Sequence, residues 1–141
     1  MLVQDVMNSH LITVEQDETV ATAARLLSRH NVGALPVIGP GGRLKGMLTD
    51  RDIAVRCVAA NFDPNLTRVR SVMSTGAVTI PAGADPLEAA RTMAKAGVRR
   101  LPVTENGKLV GMLSQGDFAN CAPSPEAARA FQAVFQPVTE R

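Results

Sequence analysis

Two short stretches hold the side chains best suited to recognising a ligand. They read Gly46-Met47-Leu48-Thr49-Asp50-Arg51-Asp52 and Gly111-Met112-Leu113-Ser114-Gln115-Gly116-Asp117. In each, a hydroxyl follows an apolar run and a carboxylate comes three residues later. At the entrance to a helix this spacing supports two chemistries. The first is a capping box: Thr49 or Ser114 is the N-cap, and Asp52 or Asp117 reaches back from the third helical position. Two facts weigh against capping alone. The usual box residue is Glu or Gln, and the interior changes completely between copies (Asp50-Arg51 against Gln115-Gly116) while hydroxyl and acid persist. The second chemistry is ligand binding. A helix N-terminus offers free N–H groups and partial positive charge to a phosphate. A carboxylate held there accepts hydrogen bonds from both hydroxyls of a ribose. The two are compatible, because a cap holds its side chains in place.

Basic residues stand where phosphates would need them. Arg51 lies inside the first motif, and Arg43 and Lys45 flank the hairpin before it. Arg99-Arg100 precede Leu101-Pro102-Val103, where the first copy has Gly33-Ala34 before Leu35-Pro36-Val37. Guanidinium forks suit phosphate oxygens, so two such places would not bind alike. Catalysis finds little support. The only histidines are His10 and His30, without paired acid, Cys or Ser spacing around them. His30 reads as a charge at a helix C-terminus and His10 as an exposed turn residue. Cys57 and Cys121 are far apart and in no metal spacing. They read as packing residues in a reducing cytoplasm. No catalytic residue and no metal ligand is expected.

The elements that must position these residues come from an internal repeat. Val6-Met7 recurs as Val72-Met73, Thr13 as Thr79, and Ala23-Ala24-Arg25 as Ala89-Ala90-Arg91. The offset is constant apart from one residue lost in the hairpin turn. Each copy reads β-α-β-β-α. Leu11–Val14 and Ala77–Ile80 are β-prone. Thr19 and Asp85 are N-caps, the latter followed by Pro86 and Glu88. Val20, Ala24 and Leu27 form one apolar helix face, and Leu87, Ala90 and Ala94 the other. Strands at Ala34–Ile38 and Arg100–Thr104 turn through Gly39–Gly42 and Glu105–Gly107 into Leu44–Leu48 and Leu109–Leu113. Met7, Met47, Met73 and Met112 read as core filling. A tail helix starts at Pro123-Ser124-Pro125-Glu126 and ends at Pro137. Its stripe of Ala127, Ala130, Phe131, Val134 and Phe135 suits docking on the module or on a second subunit.

Composition excludes several classes. The 141 residues carry 15 Lys+Arg and 13 Asp+Glu, a net charge of +2, which argues against non-specific nucleic-acid binding and leaves room only for a local basic patch. All four aromatic residues are Phe, too few for base-stacking platforms. No apolar run approaches a membrane span, and Met1–Asp5 does not open like a secretory leader. Neither repeat can build much core alone, so the copies should depend on one another.

The doubled pattern resembles a CBS-domain pair, or Bateman module. The resemblance rests on the two Val-Met starts, Gly33-Ala34-Leu35-Pro36-Val37 and Arg99-Arg100-Leu101-Pro102-Val103, and the Gly-x-x-Thr/Ser-x-x-Asp motifs. In particular the chain is similar to small stand-alone bacterial CBS proteins, in which a Leu-Thr-Asp-Arg-Asp-Ile stretch is typical. This implies an α+β fold of two pseudo-symmetric β-α-β-β-α CBS units packed sheet to sheet. Residues 1–60 would form the first unit, 61–71 a linker, 72–121 the second unit and 122–141 a helical tail.

By the same resemblance, adenosine-containing ligands would lie in two crossed clefts. Asp52 and Asp117 would hold ribose hydroxyls, and Thr49 and Ser114 would contact ribose or phosphate. Leu11, Ile12, Ala77 and Val78 would frame adenine, with Asp117 facing Leu11-Ile12 and Asp52 facing Ala77-Val78. Arg99 and Arg100 would reach phosphates, and Gly33 and Arg51 complete the set. The implied ligand is AMP, ADP or ATP, or else NAD or S-adenosylmethionine. The implied protein is a cytoplasmic, non-enzymatic sensor, homodimeric, acting on a partner protein. The alternative is a dimerisation scaffold that needs no ligand.

Overall fold

The computed structural model describes residues 1–120 and 124–135, with the side chain of Asn120 left out. The expectations placed on Cys121, Pro123 and Pro137 fall outside the described residues. The described chain forms a short helix α1 (Val3–Val6), then β1 (Val14–Glu15), α2 (Val20–His30), β2 (Ala34–Ile38), β3 (Leu44–Thr49) and α3 (Asp50–Ile53). The second half repeats this with β4 (Ile80–Pro81), α4 (Pro86–Ala96), β5 (Arg100–Glu105) and β6 (Lys108–Ser114). A 3-10 stretch, Gln115–Asn120, and helix α5 (Pro125–Phe135) follow. The strands make two three-stranded sheets, ordered β1-β2-β3 and β4-β5-β6. In each, a two-residue first strand runs parallel to the second, Val14 beside Val37 and Ile80 beside Val103.

Local chemistry explains the element limits. Thr19 Oγ1 accepts from the Thr22 N–H at 3.2 Å, and Asp85 Oδ1 from the Leu87 N–H at 2.7 Å, so both long helices start on capped ends. Both stop at a left-handed residue, Asn31 (φ 53°) and Gly97 (φ 70°). The second hairpin turns at Asn106 and Gly107, with φ 54° and 80°, the positive pair a tight two-residue turn requires.

Three expectations need correction. Leu11–Thr13 and Ala77–Thr79 are not strand, because pairing with the neighbouring strand begins only at Val14 and Ile80. The buried faces keep Val20, Leu27 and Ala90 as expected but differ at their other positions. Ala23 is buried where Ala24 was expected, and Ala89 and Met93 are buried while Ala94 is exposed. The four repeat-equivalent methionines are half-buried rather than central, although Met7 and Met73 do pack against core clusters.

The chain divides into two compact units that do not follow its linear order. One contains Met1–Leu11, Val78–Asn106 and Val110–Arg141, the other Ile12–Ala77 and Gly107–Leu109. They are called here the Asp117 unit and the Asp52 unit. Each repeat's leading segment therefore belongs with the other repeat. The core of the Asp117 unit includes Val3 beside Ile80, Met93, Leu101, Val103, Leu113 and Phe118. The core of the Asp52 unit gathers Val14, Val20, Leu27, Leu35, Val37, Leu48 and Cys57 with Val69 and Val72. Backbone bonds fix α1 in place, from Val3 N–H to Ala84 O at 2.8 Å and from Gln4 N–H to Ala82 O at 3.0 Å. Burying Val3 completely adds roughly 1.5–3 kcal/mol to that attachment. In the Asp117 unit, α5 starts on Ser124, whose Oγ accepts from the Ala127 N–H at 3.1 Å. It docks through Phe131 and Phe135, whose ring centres lie 5.0 and 5.3 Å from that of Phe118.

Candidate functional site

The two hydroxyl–acid motifs sit where a strand ends and a helical turn begins. In the Asp52 unit the capping box is complete. Thr49 Oγ1 accepts from the Asp52 N–H and Asp52 Oδ2 accepts from the Thr49 N–H, both at 3.0 Å. Aspartate therefore does reach the cap backbone, despite being shorter than the usual Glu. In the Asp117 unit the same carboxylate bond is present and tighter, Asp117 Oδ2 accepting from the Ser114 N–H at 2.7 Å. The helix that follows differs. Asp50–Ile53 is α-helical and runs on into a wider π-type turn, Ala54–Val58, whereas Gln115–Asn120 winds as 3-10. Gly116, a poor helix former, lies inside the second.

A further backbone bond joins each motif to the start of the middle strand. Asp50 N–H donates to Gly33 O at 3.0 Å, and Gln115 N–H to Arg99 O at 2.9 Å. Gly33 and Arg99 thus occupy equivalent places beside equivalent helix entrances. Arg51, Arg99 and Arg100 are exposed. Among the described residues no hydrogen bond or ion pair engages these three guanidinium groups.

Each leading segment is bridged to the strand that runs into a motif. Ser74 pairs with Met47 through two bonds of 2.9 Å, and Asn8 with Met112 through bonds of 2.8 and 2.9 Å. Both bridges are antiparallel, and they place Ser74 beside β3 two residues before Thr49 and Asn8 beside β6 two residues before Ser114. The first glycine of each motif makes room for this. A Cβ on Gly46 would run into the Ser74 carbonyl oxygen and come within 3.2 Å of Met73 Sδ. One on Gly111 would overlap the Met7 side chain.

The expected residues fall into two sets. Ile12, Gly33, Thr49, Arg51, Asp52 and Ala77 belong to the Asp52 unit, and Leu11, Val78, Arg99, Arg100, Ser114 and Asp117 to the Asp117 unit. Leu11 is thus grouped with Asp117 and Ala77 with Asp52, while their sequence neighbours Ile12 and Val78 are grouped the other way. Sequence reasoning missed Arg56. This residue stands one helical turn after Asp52, and its Nε lies 3.9 Å from Asp52 Oδ1. The acid–base spacing of four residues on a helix was the available signal.

His10 is exposed, and its N–H donates to Asn8 Oδ1 at 2.9 Å. Cys57 is fully buried, its Sγ 3.6 Å from Phe62 O. Among the described residues no three His, Cys, Asp or Glu side chains cluster as metal ligands would. Nor is any described helix long and apolar enough to cross a membrane.

The CBS-domain family model matches twice, over residues 3–58 and 69–123. The chain belongs to the CBS-domain family and carries a pair of these domains, a regulatory rather than catalytic class of module. It is 43% identical over 126 residues to the CBS domain-containing protein YhcV of Bacillus subtilis, with 89% of each chain covered. It is 34% identical over 135 residues to Hypoxic response protein 1 of Mycobacterium tuberculosis, covering 96% of this chain and 94% of that one.

Solved structures agree on the fold. Hypoxic Response Protein I, crystallised with two coordinated zinc ions, has a TM-score of 0.78 at 36% identity, over 87% of this chain and 100% of that one. CBSX2 in complex with AMP gives 0.71 at 27%, over 82% and 91%. The CBS domain pair of protein MJ0100, in complex with 5′-methylthioadenosine and S-adenosyl-L-methionine, gives 0.69 at 26%, over 84% and 93%.

Proposed function

We propose that this CBS pair is a sensor that binds an adenosine-containing ligand and passes its occupancy to a partner protein. The observation that carries the reading is the matched pinning of Asp52 and Asp117. Each is held at a helix entrance through Oδ2, which leaves Oδ1 free to accept from a ribose hydroxyl. The AMP bound by CBSX2 and the S-adenosyl-L-methionine bound by MJ0100 supply the ligand class. In this reading Thr49 and Ser114 serve ribose or phosphate, and Arg51, Arg99 and Arg100 take phosphate oxygens. Leu11, Ile12, Ala77 and Val78 frame the base, with Gly33 leaving room beside Asp50. The ligand is AMP, ADP, ATP or NAD, and the module works as a cytoplasmic homodimer. Signalling further requires that the ligand bind two states of the module unequally.

A thermal-shift panel of AMP, ADP, ATP, NAD, S-adenosylmethionine and GTP tests this. A ligand at about 100 times its dissociation constant adds roughly 2.7 kcal/mol, a rise of several degrees for a chain of this size. The expected result is a rise with adenosyl ligands and none with GTP. Survival of that rise in both Asp52→Ala and Asp117→Ala would show the site assignment to be wrong. One observation favours a second reading, a ligand-independent dimerisation scaffold: the closed Thr49–Asp52 box satisfies its own helix end without a ligand. No rise with any compound, on folded protein free of co-purified nucleotide, selects the scaffold.

A further inference from the structure

We propose that Arg56 is a positioning residue that makes the Asp52 constellation the tighter of the two. The inference rests on the functional reading above and deepens it. Arg56 Nη1 donates to Val72 O at 3.3 Å and to Met73 O at 3.1 Å. Its Nε lies 3.9 Å from Asp52 Oδ1. One guanidinium therefore ties together the helix that carries the ribose-binding acid and the segment that leads into Ala77. Just beyond the clamped carbonyls, Ser74 is paired with Met47. A planar fork suits this task, since its donors point in several fixed directions at once. At 3.9 Å the Nε does not occupy a hydrogen-bond position on Oδ1, so that oxygen keeps its lone pairs for a ligand hydroxyl.

The other motif has a different residue at the equivalent position. Four residues after Asp117 the chain has Cys121, which brings neither positive charge nor a donor fork. Segment and acid in the Asp117 unit are therefore not joined by an arginine from this position, and ligand binding must order more of the site there. Ordering costs subtract directly from affinity, so the clamped constellation binds more tightly.

Calorimetric titration of the full chain with AMP is the test, with each constellation isolated by disabling the other. In an Asp117→Ala background, Arg56→Ala should weaken AMP binding about 3–10-fold, the equivalent of ordering one or two side chains. Arg56→Lys, with one ammonium in place of a fork, should fall between. Arg70→Ala removes another half-exposed arginine of the same unit, one paired with Asp17, and should leave affinity unchanged. In an Asp52→Ala background, Arg56→Ala should have no effect. Without ligand, Arg56→Ala should speed hydrogen exchange at the Ser74 and Met47 amides but not at Asn8 and Met112.

Equal losses at both constellations would indicate general loosening and overturn the inference. So would a tighter Asp117 constellation in the parent comparison. Loss of binding in Asp52→Ala beside unchanged binding in Arg56→Ala (both with Asp117→Ala) overturns this inference alone. Absence of binding to the unsubstituted chain by AMP, ADP, ATP, NAD and S-adenosylmethionine alike overturns the functional reading as well.

Discussion

Asp52 and Asp117 each commit one carboxylate oxygen to their own helix, and that divides their structural from their proposed ligand role. An Asn at position 52 keeps an acceptor for the Thr49 N–H but loses the charge and the second acceptor. Asp52→Asn should stay within about 0.5 kcal/mol of the parent, whereas Asp52→Ala costs about 1 kcal/mol as a lost cap. Both should lose AMP affinity at that constellation, as urea melts paired with calorimetry would show. The motif glycines separate in a similar way. The obstacle at Gly46 is a backbone carbonyl, and at Gly111 it is a flexible methionine. Gly46→Ala should therefore destabilise by about 1–3 kcal/mol, and Gly111→Ala by clearly less, in the same melts. The hydroxyl–acid pairs were legible in the sequence because both copies keep them. Arg56 was not, because its repeat counterpart is Cys121 and comparing copies hides whatever only one of them has.

Helices were easier to read than strands at the level of elements. Thr19 and Asp85 announce α2 and α4 chemically, since a cap is a local interaction between near neighbours. The first strands were placed early because Leu11-Ile12-Thr13-Val14 is β-prone throughout, yet a strand exists only where a partner runs beside it. Pairing with β2 begins only at Val14, opposite Val37, and the residue before Val37 is Pro36, which has no N–H to give a ladder. The tail was read correctly as a capped helix with an apolar stripe, and α5 does dock within the Asp117 unit. Phe131 is 7% exposed and packed at a tilt against Phe118, so Phe131→Ala should cost about 3–5 kcal/mol. Differential scanning calorimetry would show this as a drop of several degrees in Tm. A drop below one degree would mean that the helix contributes little to the fold.

At the scale of the whole molecule, the repeat was visible in the residues themselves, whereas a crossing of the leading segments entered only as what the family resemblance implies. Matching Val6-Met7 to Val72-Met73 identifies equivalent residues without saying which sheet each one joins. The exchange predicts how the chain should behave when cut in the exposed Phe62–Leu66 stretch. Residues 1–65 would lack Val69 and Val72 from one core and everything that covers Val3 in the other. Neither 1–65 nor 66–141 should fold alone, and an equimolar mixture should regain the parent's circular dichroism and a cooperative melt. Cooperative unfolding of 1–65 by itself would contradict this picture of shared cores.

The early position of Val3 also matters during synthesis. This side chain is fully buried in the finished protein, but its neighbours Leu101, Leu113 and Phe118 are among the later residues translated. At ~5–20 residues per second, the N-terminal segment waits on the order of 5–20 s outside the ribosome before its pocket exists. Most of the Asp52 unit has emerged by then. Residues around Val3 are made well before their place exists, and in that interval they are an apolar segment open to chaperones and proteases.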